Sequence, residues 1–331
     1  MSETAYPLIS ICIPVYETEQ YLEDCLLSCF AQRFDSFEII VVSDASRGHD
    51  GNGRIAKRIV KTVQKRENAN RRKNGLSIVP VHFSENHRNL GILETRRALI
   101  NEASGEYIYQ LDSDDMLTDD ALEVLYDCAK QNDADFVMGD YQPCVFNEDG
   151  SCFIAKEKAF RLFEGTLEYP DIFPAWLLNK KFSGNNGGKL IKRDLFVHAF
   201  ENISYTECNL AEDVLLFFFI TQYAKKYIGI SKEVYRYRLN VGMSSSRKID
   251  NLCKWKLIAS CSSVFTIIIE YIKAHSYSDD VIAAIRQQTF AYLSLSIKKL
   301  NCNVLPELQS EARLMLNEYW GKSFVEKVEK Y

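Results

Sequence analysis

The sequence predicts an α/β protein, with a mostly parallel sheet flanked by helices over residues 1–240 and a helical C-terminal region over 241–331. Three observations carry this reading. Apolar, β-branched runs of strand length alternate with helix-periodic segments from Leu8 to Tyr141, the pattern of successive βαβ crossovers. One such run, Tyr107-Ile108-Tyr109-Gln110-Leu111, ends abruptly in Asp112-Ser113-Asp114-Asp115. Strand ends are where open α/β sheets gather their ligands. From Ile249 onward nothing reads as strand, and long amphipathic helices take over.

Each element has its own signal. Leu8 to Val15 is an apolar run closed by Pro14 and a polar turn, and Gln20 to Ala31 carries Tyr21, Leu22, Cys25, Leu26 and Cys29 at helical spacing. Glu38 to Val42 is a second strand, ending at Ser43-Asp44-Ala45-Ser46. A basic helix follows between Arg54 and Glu67. Leu76 to Phe83 reads as a third strand, Gly91 to Ala103 as a third helix, and Glu106 to Leu111 as a fourth strand. Thr118 to Asn132 is a helix and Asp135 to Tyr141 a fifth strand. The pattern then loosens up to Gly188 and resumes with a helix from Glu212 to Ala224 and a strand near Val234 to Arg238. The boundary between the two regions falls near residue 240.

Composition narrows the function. An apolar share of 47% and a charged share of 26% are ordinary for a globular protein. A net charge of −5 argues against a nucleic-acid partner. No uninterrupted apolar run approaches the roughly 20 residues that span a bilayer. Met1-Ser2-Glu3-Thr4 lacks the basic and apolar segments of a signal peptide, so a cytoplasmic location is expected, with the inner face of the membrane as a variant of it. The ten cysteines show no Cys-x-x-Cys pair and read as small buried hydrophobes of a reducing compartment.

The acid run points to chemistry. Three carboxylates at one strand end repel one another unless something positive sits between them, and a hard divalent cation satisfies them. Such a cation suits a substrate with phosphates, because it bridges carboxylate and diphosphate oxygens. The competing reading, acids placed to complement a helix dipole, fits Asp119 and Asp120 in Thr118-Asp119-Asp120-Ala121. It does not fit Asp112 and Asp114 together, since they lie upstream on the strand's end. Neither a dinucleotide glycine fingerprint nor a P-loop is present. The first strand leads instead into Pro14-Val15-Tyr16-Glu17, so phosphates must be handled by metal and side chains. Tyr16 offers a ring to stack on a base, and Asp44 an acceptor for a pyrimidine N–H. Each residue taken singly is equally a packing or turn residue.

Taken together in order, these segments resemble one family. Ile9-Ser-Ile-Cys-Ile-Pro-Val-Tyr16, Glu38-Ile-Ile-Val-Val-Ser-Asp44-Ala-Ser46, Asn89-Leu-Gly91 with Arg96, and Gly105-Glu-Tyr-Ile-Tyr-Gln-Leu-Asp112-Ser-Asp114-Asp115 are similar to the family 2 glycosyltransferases, which are inverting, have the GT-A fold and use nucleotide sugars. The likeness is good over residues 7 to 140. It thins through Gly188-Lys189-Leu190, Ala211-Glu212-Asp213 and Tyr235-Arg236-Tyr237-Arg238. It implies a UDP-sugar donor, Mn²⁺ or Mg²⁺ as cofactor, and a glycan or lipid-linked glycan acceptor. Pro14, Tyr16, Glu17, Asp44, Arg96, Asp112, Ser113, Asp114, Lys189 and Arg238 would then contact the nucleotide sugar. Tyr16 and Asp44 would take the base, Asp114 with Asp112 the metal, and Asp213 would be the catalytic base. A single displacement at an anomeric carbon needs one base for the acceptor hydroxyl, and a carboxylate suits it. For Asp213 and Glu212 the alternative is helix-dipole stabilisation.

There are departures from the family pattern. Glu17 stands where Asn is usual, Ser43 and Ala45 replace an Asp and a Gly, and Arg97 replaces an Asn. These put donor identity, rather than reaction class, in question. Lys189, Arg236 and Arg238 are open to a second role as structural salt bridges. Two rival functions compete: a non-catalytic nucleotide- or glycan-binding scaffold, and a sugar nucleotidyltransferase, which would need a glycine-rich basic loop after the first strand. Residues 54–73 hold nine basic residues against one acid, Glu67. Contact with anionic lipid heads competes there with a solvated helix face. The C-terminal helices, with Trp255, Tyr271, Tyr292 and Trp320, could cover the acceptor side, form a homodimer, dock on a membrane or pack as core.

Overall fold

The computed structural model describes residues 7–146, 152–155, 160–239, 241 and 248–330. In chain order the first half holds β1 (Ile9–Val15), α1 (Glu19–Phe30), β2 (Phe37–Ser43), α2 (Ala56–Lys73), β3 (Val81–Glu85), α3 (Ile92–Glu102), β4 (Tyr107–Gln110), β5 (Met116–Leu117), α4 (Ala121–Asn132) and β6 (Phe136–Phe146). There follow β7 (Cys152–Ile154), β8 (Gly165–Glu168), α5 (Ile172–Leu177), β9 (Lys189–Lys192), α6 (Arg193–Asn202), α7 (Glu212–Tyr223) and β10 (Lys226–Arg238). The C-terminal region is α8 (Leu252–Ala259), α9 (Ser262–Ala274), α10 (Asp279–Cys302), α11 (Gln309–Trp320) and α12 (Lys322–Glu329).

The strands form one sheet in the order β3-β2-β1-β4-β9-β6-β10-β5, with β7 on β6 and β8 on β10. The strands expected from sequence pair in parallel: β1 with β2 and β4, β2 with β3, and β10 with β6. The additions β5, β7, β8 and β9 all pair antiparallel, while the long ladders stay parallel, so the sheet is mostly parallel with short antiparallel additions. They are two to four residues long, too short for an alternation to show. β1 and β2 are buried at every position, which is why they read as unbroken apolar runs.

Local chemistry explains most shifted boundaries. The third strand starts at Val81 rather than Leu76, because Pro80 supplies no N–H to the ladder; its carbonyl still accepts from the Ile39 N–H. α2 runs on to Lys73 and stops at Asn74 and Gly75, the latter at φ +71°. α4 begins at Ala121. Thr118 does not cap it, but donates its hydroxyl to the Glu233 carbonyl, while Asp120 pairs with Lys232 at 2.7 Å. α7 carries Leu-Leu-Phe-Phe-Phe-Ile-Thr from 215 to 221, all buried, as expected of a helix apolar on every side. Packing from α5, α6 and α9 covers it and fixes the helix that presents Glu212 and Asp213.

The boundary expected near residue 240 lies outside the described residues. Beyond it, the C-terminal helices continue the same hydrophobic core. Trp255 donates its indole N–H to the Ala312 carbonyl at 2.7 Å, and Trp320 to the Ala259 carbonyl at 3.1 Å. Core packing is thus the role of these two tryptophans. The segment Leu252–Ala274 is long and apolar enough to cross a membrane by length and composition alone, although no single apolar run is that long. It breaks between α8 and α9, and half of it is buried in the protein.

Candidate active site

The ends of β1, β2 and β4 meet the first turns of α3 and α7 around a cavity of about 300 Å³. Pro14, Tyr16, Asp44, Arg96, Asp112, Ser113, Asp114 and Asp213 all line it, so seven of the ten residues expected at the nucleotide sugar are brought together with the expected catalytic base. Glu17, Lys189 and Arg238 are not on its wall.

The geometry is built outward from Asp44. Its carboxylate accepts from the Leu90 N–H at 2.8 Å, the Gly91 N–H at 2.9 Å and the Asn86 amide at 2.8 Å. Three of its four lone-pair sites are occupied, which leaves one for a ligand. Asp44 thereby fixes the entry to α3. Gly91 has φ +88°, and a Cβ there would lie 2.8 Å from the Cys208 carbonyl oxygen. That close approach lets the Ile92 N–H reach the Asn209 side chain at 2.9 Å, tying α3 to the loop that leads into α7.

Arg96, on α3, is the hub. Its side chain is 4% exposed and reaches Asp112 at 2.9 Å, the Gln110 amide oxygen at 3.0 Å and Glu212 at 3.5 Å. Burial works against its charge, but Asp112 and Glu212 outweigh burial and hold the guanidinium firmly protonated. Among the described residues it is the only cationic side chain on a wall that carries Asp44, Asp112, Asp114, Asp115, Glu212 and Asp213. Such an imbalance at the rim of a sheet calls for added positive charge. The two metal candidates respond differently. Asp112 is held by Arg96, whereas the Asp114 carboxylate hydrogen-bonds no other side chain among the described residues. Burial, then Asp112 beside it, push the Asp114 carboxyl up to about 6. No group of three or more His, Cys, Asp or Glu side chains could hold a metal ion among the described residues. Two carboxylates with diphosphate oxygens and water as the remaining ligands fit Mg²⁺ or Mn²⁺, which are seldom caged by protein alone.

Across the cavity, Asp213 opens α7. Desolvation, then Glu212, push its carboxyl up to about 7, while its own hydrogen bond from the Val214 N–H at 2.8 Å and the charges of Arg96 and Lys189 act the other way. Glu212 is raised by burial and partly offset by Arg96.

Two residues expected at the nucleotide sugar have protein partners in this structure. Lys189 is 1% exposed and points its ammonium at the Asn185 side-chain and backbone oxygens and the Gly187 carbonyl, between the Tyr141 and Phe217 rings. It locks the 185–188 turn. Arg238 lies sandwiched between the Tyr21 and Phe146 rings, donates to the Asp114 carbonyl at 2.9 Å and pairs with Asp24 at 3.2 Å. It supports the backbone of Asp114 from behind. Arg236 lines a separate polar cleft with Arg33 and Lys232.

The departures at Glu17 and Ala45 now have a physical setting. Both lie at positive φ, +55° and +53°, where Asn and Gly are the residues most at ease. Ala211, just before Glu212, has φ +67°. All three residues flank the cavity, a placement typical of backbone strain held by the surrounding structure. The structure also adds residues the sequence did not single out. Asp115 accepts from the Tyr235 hydroxyl at 2.6 Å and the Arg238 N–H at 2.7 Å, anchoring the acid run to β10. Thr18 bonds Ser113 at 2.6 Å, joining the Tyr16 loop to the same run. Asn209, Tyr237 and Tyr292 complete the wall. Asp115 was visible in the run itself. The others meet the site only through tertiary structure.

A mixed α/β sheet with an acid run at the end of β4 and a carboxylate facing it from α7 is the layout of the GT-A class. Residues 10–150 match the profile of Glycosyl transferase family 2. GlyA of Streptococcus pneumoniae serotype 4, a glycosyltransferase, is 29% identical over 249 residues, which cover 72% of this chain and 31% of that protein. GlyG of the same organism, also a glycosyltransferase, is 26% identical over 247 residues, covering 73% of this chain and 74% of that one. Among solved structures, S. aureus TarS 1–349 in complex with UDP-GlcNAc superposes with a TM-score of 0.53 at 16% identity, covering 97% of this chain and 91% of that one. Residues 10–150 are thus similar to the family 2 glycosyltransferases, and the chain has the GT-A fold.

Proposed function

We propose that the protein is an inverting glycosyltransferase that moves a hexose or N-acetylhexosamine from a UDP-sugar to a hydroxyl of a glycan acceptor. The acceptor class would be a surface polysaccharide, a lipid-linked oligosaccharide or a glycoprotein glycan. The observation that carries this is the single cavity shared by Asp112 and Asp114 on one side and Asp213 on the other. TarS, with the same fold, binds UDP-GlcNAc, which supports a UDP-sugar donor here.

In this reading Tyr16 stacks on the base, and the remaining lone pair of Asp44 takes a base N–H. Asp114, with Asp112, holds Mn²⁺ or Mg²⁺, which when bound offsets the charge on the departing diphosphate. Arg96 keeps Asp112 in place and keeps Glu212 from competing for that cation. Asp213 takes the proton from the acceptor hydroxyl as its oxygen bonds to the anomeric carbon and the bond to UDP breaks. A base near 7 is well matched to this, since it is deprotonated at working pH yet strong enough to draw the proton. One base suffices, unlike the carboxylate pair of a glycoside hydrolase.

The nucleotidyltransferase alternative lacks its glycine-rich loop: Pro14, Val15, Tyr16 and Thr18 form that wall. Thermal unfolding with UDP, UMP or GDP, each with and without Mn²⁺, tests the donor assignment. UDP with Mn²⁺ at about 100 times Kd should stabilise by about 2.7 kcal/mol. An absent response to every nucleotide would overturn the transferase reading. A response to UDP without any turnover would favour the non-catalytic scaffold.

A further inference from the structure

The basic helix noted in the sequence takes no part in the site. α2 buries Ala56, Ile59, Val60 and Val63 against the domain. Its cations divide into two sets. Arg54 pairs with Glu23 and Asp50, Arg66 with Glu23 at 2.9 Å and Glu67 at 2.6 Å, and Arg71 with Asp35 at 2.8 Å. Lys57, Arg58, Lys61, Lys65 and Arg72 are exposed and make no ion pair among the described residues. At 100° per residue these five fall within about 100° of arc, opposite Ala56, Ile59, Val60 and Val63, with buried Asn68 interrupting the arc before Arg72 and exposed Lys73 lying outside it. Lys57, Lys61 and Lys65 stand at i, i+4 and i+8, and Arg72 extends the ridge to roughly 22 Å. The chain as a whole is net −5, so this ridge is a local reversal of sign.

The ends of the ridge are apolar. Ile55 precedes the helix and is 48% exposed; Leu76 and Ile78 follow it at 45% and 49%. Arg71 holds the latter segment against the helix end through the Ser77 carbonyl at 2.7 Å. A row of cations between exposed aliphatic side chains matches the charge and layering of an anionic bilayer surface. A soluble polyanion would use the cations but gain nothing from the aliphatic ends.

We infer that the outer face of α2, with Ile55, Leu76 and Ile78, is a docking surface for an anionic lipid membrane. α2 follows in sequence the loop that leaves Asp44, a residue of the cavity wall, while none of its own residues lines that wall.

Co-sedimentation of the full chain with phosphatidylcholine vesicles, with and without phosphatidylglycerol, tests this. The expected result is binding only to the phosphatidylglycerol vesicles, released by added salt. Lys57→Gln/Lys61→Gln/Lys65→Gln should lower partitioning by roughly a hundred-fold, each cation contributing about five-fold. It should keep the wild-type melting temperature, since the three side chains are solvent-facing. Leu76→Ser/Ile78→Ser should lower partitioning onto the phosphatidylglycerol vesicles at low salt and lower the salt concentration that releases the protein. Wild-type indifference to phosphatidylglycerol would overturn the inference, as would undiminished binding by either variant. Capture of long-chain polyphosphate without any vesicle binding would overturn it in favour of a soluble polyanion.

Discussion

Asp213→Asn should trade turnover for stability. In the folded protein the Asp213 carboxyl is pushed up from 3.8 to about 7, chiefly by desolvation and then by Glu212. An acid whose folded pKa is raised binds its proton more tightly in the native state. Stability is therefore lost as pH rises from the unfolded value through the folded one, and the penalty is constant above that. The gap corresponds to roughly 4 kcal/mol at 25 °C. Glu212 beside it is raised as well, chiefly by burial, and either carboxyl can carry a shared proton, so about half, ~2 kcal/mol, is the expected gain on removing the charge. Asparagine keeps the acceptor for the Val214 N–H, and its amide N–H groups sit on the wall of the cavity, where water can accept from them. For a chain of 331 residues, ~2 kcal/mol is about 3 °C in melting temperature. Differential scanning fluorimetry at pH 8 and pH 5 reads it. The variant should melt higher at pH 8, with a gain about half as large at pH 5, and should release no UDP at either. A variant that melts below wild type at pH 8, or a gain independent of pH, would refute the reasoning.

Other outcomes follow from the same geometry. UDP-dependent stabilisation in Mn²⁺ should weaken as pH falls through about 6, where Asp114 takes up its proton, and Asp114→Ala should abolish the metal's contribution at all pH values. Arg96→Met leaves Asp112 and Glu212 without their buried partner and should cost about 3–5 kcal/mol, seen in urea unfolding. Gly91→Ala drives a Cβ to 2.8 Å from the Cys208 carbonyl oxygen and must separate α3 from the Asn209 loop, lowering both melting temperature and UDP affinity. Lys189→Met strips the Asn185 and Gly187 carbonyls of a donor and should destabilise by about 1–3 kcal/mol, with KM for the donor unchanged in the folded fraction.

The legible parts of this protein are those with local causes. The parallel strands announce themselves because β1 and β2 are buried on both faces, and the acid run because Asp112 and Asp114 sit together at one strand's end. Asp213 could be named from a short motif, and the structure places it on the same cavity. What escaped the sequence depends on distant partners. Lys189 and Arg238 have the charge of phosphate ligands, but the side of the sheet they face is set by β9 and β10, whose pairing no local pattern reveals. For Tyr292 the sequence leaves acceptor cover, self-association, membrane docking and core packing all open, and only tertiary structure sets it on the cavity wall. The positive φ at Glu17, Ala45 and Ala211 is invisible too, since none of them is a residue that favours it.

The most direct measurement is UDP release from a panel of UDP-sugars, in Mn²⁺ or in chelator, with Asp114→Ala and Asp213→Asn alongside. Slow transfer to water allows it without knowledge of the acceptor. The account expects metal-dependent release from one sugar, lost in Asp114→Ala and in Asp213→Asn. Equal release in chelator, or full release by Asp213→Asn, would contradict it.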